Sequence, residues 1–159
     1  MNWLLFRIRY IWGAEALAKK RYGDAESHFA RALDSKPGNV EALMGMAESE
    51  WRLGKQEEAR KRVEVILEKE PGFSGARFLA SRFDLESNKF EQARQQLMHA
   101  VEGDPRFLEA WYELGKVSIA LGDEEVALKA FGVLAGSDPL VLPYRLAELE
   151  EKLGSKGTT

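Results

Sequence analysis

The sequence predicts an all-α fold made of four helical hairpins in tandem, and a repeating pattern of residues predicts it. Four of the five prolines stand 34 residues apart, at Pro37, Pro71, Pro105 and Pro139. Twelve residues before each of them stands an alanine, at Ala25, Ala59, Ala93 and Ala127. Eight residues before each stands a large apolar residue, at Phe29, Val63, Leu97 and Phe131. Three positions in phase over four repeats are typical of a repeat protein.

Each repeat contains two helices joined by a tight turn. Within residues 25–33 the apolar side chains recur at steps of three and four residues, which places them on one face of a helix. The proline lies at or just beyond the end of that helix, because it has no N–H and disfavours helical geometry before it. Another amphipathic segment precedes each such helix, most clearly at 108–121. There, Gly122 closes the segment and Asp123 is the expected N-cap of the next helix. Gly54 and Asn88 occupy the corresponding turns of the second and third repeats.

The pattern divides the chain into elements in order. The four repeats span about 6–39, 40–73, 74–107 and 108–141. A final amphipathic segment carries one apolar stripe of Leu142, Leu146, Leu149 and Leu153. It is predicted to be a capping helix over 142–153, whose polar side ends the stack in water. Residues 1–153 are thus expected to form a single solenoid of nine helices, and 154–159 a disordered tail.

The fourth repeat is similar to the tetratricopeptide repeat (TPR) family, which places the same residue types at Trp111, Leu114, Gly115, Ala127, Phe131 and Pro139. The resemblance covers residues 6–141. It implies a right-handed α-α superhelix, a TPR solenoid of helix-turn-helix repeats. Other repeats depart from the family pattern at its tryptophan position, where Arg9, Leu43 and Arg77 stand. None has the family's first-helix tyrosine, and Ala16, Glu50, Asp84 and Ser118 stand there.

Composition argues against an enzyme. The chain has no cysteine, so disulfides, thiolate metal sites and thiol nucleophiles are excluded. Its two histidines, His28 and His99, fall in different repeats without a metal-ligand pattern. No glycine-rich phosphate loop is present. The sequence therefore predicts no catalysis, no metal, no cofactor and no small-molecule substrate.

Charge argues against nucleic acid as a partner. The net charge is −3 and the isoelectric point is about 5.6, with no long basic stripe. The charge is nevertheless uneven along the chain. Residues 1–39 hold seven Lys or Arg against four Asp or Glu, and residues 108–159 hold five against nine. The first end is therefore basic and the last end acidic.

The resemblance implies that function lies on a concave surface lined by the first helices of the repeats. Carried onto this sequence, the family's groove-facing register gives Tyr10, Met44, Glu48, Trp51, Phe78, Arg82, Tyr112 and Lys116. Aromatic anchors among a few charges suit the binding of a peptide or helix. An alternative is that some of them, Trp51 in particular, fill the interior of the solenoid. The resulting prediction is a protein-protein interaction scaffold or adaptor that binds a partner segment and aids assembly of a larger complex.

One specialised form of groove binding is predicted to be absent. Family members that grip the acidic tails of heat-shock chaperones use a clamp of Lys, Asn and Arg side chains. The corresponding positions here hold Tyr10, Ala14, Gly45, Gly75 and Leu79. None of these side chains can supply such a clamp.

The first twelve residues, MNWLLFRIRYIW, leave a second function open. They lack the charge order of a signal peptide and the length of a membrane span, so a cytoplasmic location is expected. The helix they begin is apolar nearly all round, with an apolar interface predicted at Trp3, Leu4, Phe6, Ile8 and Ile11. The alternative function is a structural subunit that self-associates or docks on a membrane complex through this helix. Basic residues favour an anionic lipid surface, namely Arg7, Arg9, Lys19, Lys20 and Arg21.

Overall fold

The fold is all-α in a computed structural model that describes residues 2–136 and, beyond them, only Ala147, Glu151 and Gly154. The described part contains eight helices and no strand. In chain order they are α1 (Asn2–Ala18), α2 (Tyr22–Ser35), α3 (Val40–Arg52), α4 (Gln56–Lys69), α5 (Ser74–Glu86), α6 (Phe90–Gly103), α7 (Leu108–Leu121) and α8 (Glu124–Ala135). This confirms the predicted all-α, helical-repeat fold class. The predicted capping helix at 142–153 and tail at 154–159 lie outside the described residues, apart from the three just named.

The helix ends follow the prolines, as the period predicts. Helices α2, α4 and α6 each end two residues before a proline, at Ser35, Lys69 and Gly103. In each case the next backbone N–H donates to a carbonyl four residues earlier, as Glu70 does to Ile66 at 2.8 Å. Proline then prevents the helix from continuing, since it offers no N–H.

The turn inside each hairpin has a left-handed residue at the same repeat position. Gly54 and Gly122 have φ values of +80° and +78°, and Lys20 and Asn88 have 59° and 56°. In all four turns, the N–H of the following residue donates to a carbonyl five residues earlier at 2.8 Å. That bond closes the first helix of the hairpin. Lys20 was not predicted as a turn residue because a lysine carries no left-handed preference to signal it.

The chain divides into two compact units, Met1–Leu79 and Ala80–Thr159. In the first unit, α1 packs on α2 and α3, and α3 packs on α4. Its core includes Phe6, Ala16, Ala25, Phe29, Ala32, Ala42 and Met46. The small side chains of α2 let its neighbours approach closely, while Phe29 fills the space between them. The asparagine that begins α3 caps it, since Asn39 Oδ1 accepts from the Ala42 N–H at 2.8 Å.

In the second unit, α7 packs on α6 and on α8. Its buried apolar side chains include Phe83, Leu97, Trp111, Leu114 and Leu134. Asp123 caps α8 as predicted, because its Oδ1 accepts from the Val126 N–H at 3.2 Å. A single solenoid over 1–153 stays a prediction.

Candidate functional site

The first unit contains a pocket between α1 and α3, with a volume of about 470 Å³. It is lined by Tyr10, Ala14, Leu17, Ala18, Phe29, Glu41, Met44, Gly45, Glu48 and Phe73. A second hollow of about 280 Å³ is lined by Phe6, Tyr10, Asn39 and Glu41, so the two share a tyrosine and a carboxylate. Three of the predicted groove residues, Tyr10, Met44 and Glu48, therefore lie in one pocket.

The ring of Phe29 reaches this pocket from α2. It does so by passing two glycines, where a Cβ atom would lie 2.9 Å from the ring at Gly13 and 2.3 Å at Gly45. Both distances are too short for any side chain, so the ring needs glycine at both places. Phe29 is only 2% exposed, and its ring meets that of Tyr10 in a T-shaped contact with 5.8 Å between centroids. The repeat pattern predicts only that Phe29 lies on the apolar face of α2, whereas Gly13 and Gly45 are what allow its ring to reach the pocket.

The walls of the pocket are mostly apolar. Tyr10 stacks on Phe6 at 6.1 Å between ring centroids, which holds its ring in place. On the other side Met44 lies near the start of α5, and a Cβ on Gly75 would be 3.6 Å from its Cγ and Sδ. Phe73 adds an aromatic side chain that the groove register did not include.

The charged groups that line the pocket are both carboxylates, Glu41 and Glu48, within the described part of the chain. The amide Nδ2 of Asn39 donates to Glu41 Oε2 at 2.9 Å, so this partner brings no charge. Arg52 Nε donates to Glu48 Oε1 at 3.0 Å, one helical turn along α3. The pocket is thus apolar with a net negative charge that is offset only at Glu48.

Two predicted groove residues of this unit lie elsewhere. Trp51 is half-buried and stacks under the guanidinium of Arg52, whose Cζ is 4.6 Å from its ring centroid. Phe78 on α5 is also half-buried. Neither residue lines the pocket. Trp51 shares the face of α3 with Met44 and Glu48 but lies about two helical turns beyond Met44.

The second unit gathers the other three predicted groove residues around a buried carboxylate. Glu113 is 6% exposed, and its Oε1 lies 3.5 Å from the Arg82 guanidinium. Its Oε2 lies 3.0 Å from Lys116 Nζ, which also sits 4.8 Å from the ring centroid of Tyr112. Glu113 was missed because nothing in its local sequence distinguishes a buried glutamate from an exposed one. A second carboxylate, Glu109, lies 3.9 Å from Arg82 through its Oε1, so two carboxylates balance the two cations of this cluster.

The positions of the chaperone clamp provide a further check on the register. Tyr10, Ala14 and Gly45 all line the pocket. None offers a positive charge or an amide there, and Gly45 has no room for a side chain.

The N-terminal interface residues are divided by the structure. Trp3, Leu4 and Ile11 are 56%, 57% and 52% exposed. Ile8 is half-buried. Phe6 differs from the expectation, because it is 8% exposed and packs in the core under Lys36 Nζ, 4.7 Å from its ring centroid.

Two other large apolar side chains of α1 are also exposed. Leu5 is 44% exposed and Trp12 is 52% exposed. Trp12 contacts α2 through His28, with 5.6 Å between the two ring centroids.

Within the described residues, no three His, Cys, Asp or Glu side chains are grouped so as to hold a metal ion. His99 Nδ1 lies 3.3 Å from Glu102 Oε2 on the same helix. None of the described helices has the length and apolar content needed to cross a membrane.

Comparison with known proteins identifies the repeats. Two family models described as tetratricopeptide repeat match the chain, one at residues 16–81 and the other at 82–140. Together they cover most of the chain. No curated protein sequence matches it significantly.

Three solved structures of similar fold each align with 74% or more of this chain. TTC0263, a thermophilic TPR protein of Thermus thermophilus, is 25% identical with a TM-score of 0.76, covering 94% of this chain and 83% of its own. The pilF protein of Pseudomonas aeruginosa is 18% identical with a TM-score of 0.78, covering 97% and 71%. The first TPR of Spaghetti (RPAP3), bound to the HSP90 peptide SRMEEVD, is 21% identical with a TM-score of 0.64, covering 74% and 93%. The two family matches and the repeated hairpins show that this chain belongs to the tetratricopeptide repeat family.

Proposed function

We propose that this protein is a non-catalytic scaffold that binds a segment of a partner protein in the pocket between α1 and α3. TPR repeats are in general interaction modules without catalysis, and a solved TPR neighbour is bound to a peptide. The single observation that supports this site is the apolar pocket of about 470 Å³ between two first helices, with aromatic walls and carboxylates. Aromatic and methionine side chains are frequent anchors in protein recognition. Binding there would bring a partner into a larger complex.

The chemistry of the pocket favours a segment with an apolar side chain next to a lysine or arginine. Apolar contact for the apolar side chain comes from Tyr10, Phe29, Met44 and Phe73. The carboxylate of Glu41, whose hydrogen-bond partner is a neutral amide, attracts the lysine or arginine. The peptide of the RPAP3 complex carries the opposite charge, with two glutamates and an aspartate in SRMEEVD. A negative pocket repels such a peptide, so we expect a basic partner segment instead.

Selection from a peptide library tests this proposal. The immobilised full-length protein is expected to enrich peptides that combine Leu, Phe or Met with Lys or Arg. Replacing both carboxylates, Glu41→Gln with Glu48→Gln, should weaken the selected peptides by about tenfold in fluorescence polarisation. Met44→Ala should weaken them by a similar factor, because it removes an apolar wall.

A matched control lies on α4 of the same unit. Glu64 and Glu68 are exposed and line neither the pocket nor the second hollow. The double variant Glu64→Gln with Glu68→Gln therefore removes as much negative charge as the pocket variant, but away from the pocket. This control should bind the peptides like the original protein. Enrichment of acidic peptides, or equal binding by the pocket and control variants, would contradict the proposal.

A second candidate function rests on a different surface. Five large apolar side chains of α1 are between 44% and 57% exposed: Trp3, Leu4, Leu5, Ile11 and Trp12. Burial of such side chains provides a substantial drive for association. We propose that α1 docks the protein as a structural subunit, either on a second copy or at a membrane.

A further inference from the structure

The exposed apolar residues of α1 lie mainly on one side of the helix. Leu4, Ile8 and Ile11 recur at steps of four and three residues, as do Leu5, Ile8 and Trp12. Such spacing places them on one helical face. We call the outer face of α1 the set Leu4, Leu5, Ile8, Ile11 and Trp12. The opposite side of the helix packs in the core through Phe6, Tyr10 and Leu17. Helix α1 is therefore apolar on two sides, and the first unit covers only one of them.

Basic residues outnumber acidic ones in α1 and the turn that follows it. Residues 2–21 contain five basic residues, Arg7, Arg9, Lys19, Lys20 and Arg21, against one acidic residue, so their net charge is +4 in a chain of net charge −3. The acidic residue is Glu15, whose Oε1 lies 2.5 Å from Lys19 Nζ. Its pKa is lowered, first by the hydrogen bond from Lys19 and then by the charge of that lysine. Glu15 thus stays ionised and paired. Arg21 is paired as well, 3.5 Å from Asp24 Oδ2, so Arg7, Arg9 and Lys20 carry the remaining positive charge.

The aromatic side chains suit a boundary between water and hydrocarbon. The guanidinium of Arg7 lies 5.0 Å from the ring centroid of Trp3, and Trp12 is half-exposed on the outer face. Tryptophan and arginine are frequent where a helix lies in the headgroup region, because each has an apolar body and a polar end. A helix that cannot span a membrane would lie in the plane of its surface.

Charge distinguishes the two possible occupants of this face. A second copy would bring the same positive end against the first, and the two would repel. An anionic bilayer attracts each basic residue near its surface. The same apolar residues would be buried in either case. The charge therefore favours the lipid surface.

We infer that the outer face of α1 holds this protein on an anionic membrane surface, with Leu4, Ile11 and Trp12 in the headgroup and acyl boundary. The inference rests on the second candidate function, that α1 is an association surface. It is independent of the pocket between α1 and α3.

Vesicle flotation of the full-length protein tests it. Vesicles of phosphatidylcholine with phosphatidylglycerol are expected to bind the protein at least about tenfold better than pure phosphatidylcholine. Raising the salt from ~50 mM to ~500 mM should reduce that binding, because the charges become screened. The double variant Leu4→Glu with Ile11→Glu should lose binding by about tenfold or more. Both side chains are more than half-exposed, so the fold should persist, which circular dichroism checks.

A matched control is available on α8. Leu128 is 59% exposed, so Leu128→Glu adds a charge at a similarly exposed leucine away from α1. It should bind vesicles almost as the original protein does. Equal binding to both kinds of vesicle, or equal loss in the two variants, would overturn the inference.

Sedimentation velocity without vesicles separates the membrane from a second copy. The inference expects a monomer. Suppose that the original protein is a dimer that binds no vesicles, and that the Leu4→Glu with Ile11→Glu variant is a monomer. That result would overturn the inferred membrane binding and leave α1 as a surface for self-association. A monomer that binds no vesicles would overturn both.

Discussion

Glu50 is the residue at which this chain departs most sharply from the family pattern. It stands on α3 where TPR repeats place a tyrosine, and it is 2% exposed. Arg62 on α4 compensates it, since its Nε donates to Oε1 at 2.8 Å and to Oε2 at 2.7 Å. Burial nevertheless raises the pKa of Glu50, and Arg62 offsets this only in part. The ionised pair thus joins the two helices of this hairpin at a cost in desolvation.

The raised pKa predicts how this carboxyl affects stability as pH changes. A group whose pKa is higher in the folded state stabilises the fold below its unfolded pKa, near 4.5, and loses that effect as pH rises through the folded value. The original protein should therefore gain more stability than Glu50→Gln when the pH falls from neutrality toward 4.5. Urea unfolding at several pH values measures this difference. Parallel curves for the two proteins would contradict the assignment.

At the scale of elements, one ion pair recurs with its charges exchanged. In the first unit Glu26 on α2 lies 2.6 Å from the Nζ of Lys55, the residue before α4. In the second unit, two repeats further on, Arg94 on α6 pairs with Asp123, the residue before α8. Each pair joins the second helices of neighbouring hairpins. The repeat conserves the position of the pair because the backbone geometry recurs, while either charge order satisfies it.

The two pairs differ in what they do for the following helix. Asp123 also caps α8 with its side chain, whereas Lys55 makes no such bond to α4. Replacing the first pair by the second, Glu26→Arg with Lys55→Asp, should therefore stabilise the protein by about 0.5 to 1.5 kcal/mol. Lys55→Asp alone should gain less, because it faces Glu26. Chemical denaturation of both variants measures the difference, and a loss of stability in the double variant would argue against this account.

For the whole molecule, stability is expected to be local. Repeat proteins are stabilised by terms within each hairpin and between nearest neighbours. The stability of the first unit depends strongly on the close packing of the Phe29 ring against Gly45, where the ring leaves no room for a Cβ. In the second unit Gly132 on α8 has open space around it.

Two glycine substitutions test this locality. Gly45→Ala should destabilise the protein by about 1 to 3 kcal/mol, because the buried ring must move. Gly132→Ala should stabilise it by about 0.5 to 1 kcal/mol, since alanine suits an open helical position. Hydrogen exchange after Gly45→Ala should show protection lost in α1 to α3 and kept in α7. Equal loss in all four helices would show a more cooperative molecule than expected.

The helices and turns of the described repeats could be predicted closely from the sequence. At one position, a residue that departs from the family pattern still makes the same hydrogen bond. The helix ends, three of the four turns and the capping Asp123 follow from signals within a few residues. At the family's tryptophan position, Trp111 Nε1 donates to the Pro105 carbonyl at 2.9 Å. Arg77, one repeat earlier, donates to the Pro71 carbonyl at 2.8 Å. The arginine thus replaces the tryptophan in this bond, which residue type alone did not indicate.

The sequence by itself determined the helices, their period and the family, because helical periodicity, proline and left-handed turns act locally. Only the tertiary structure decided which side chains meet. It brings Phe29 to the pocket between Tyr10 and Met44, and it buries Phe6 while leaving Trp12 exposed. Burial depends on helices that are distant along the chain and close in space. A register of repeats predicts which face of a helix a residue occupies, but not how deeply its neighbours cover it.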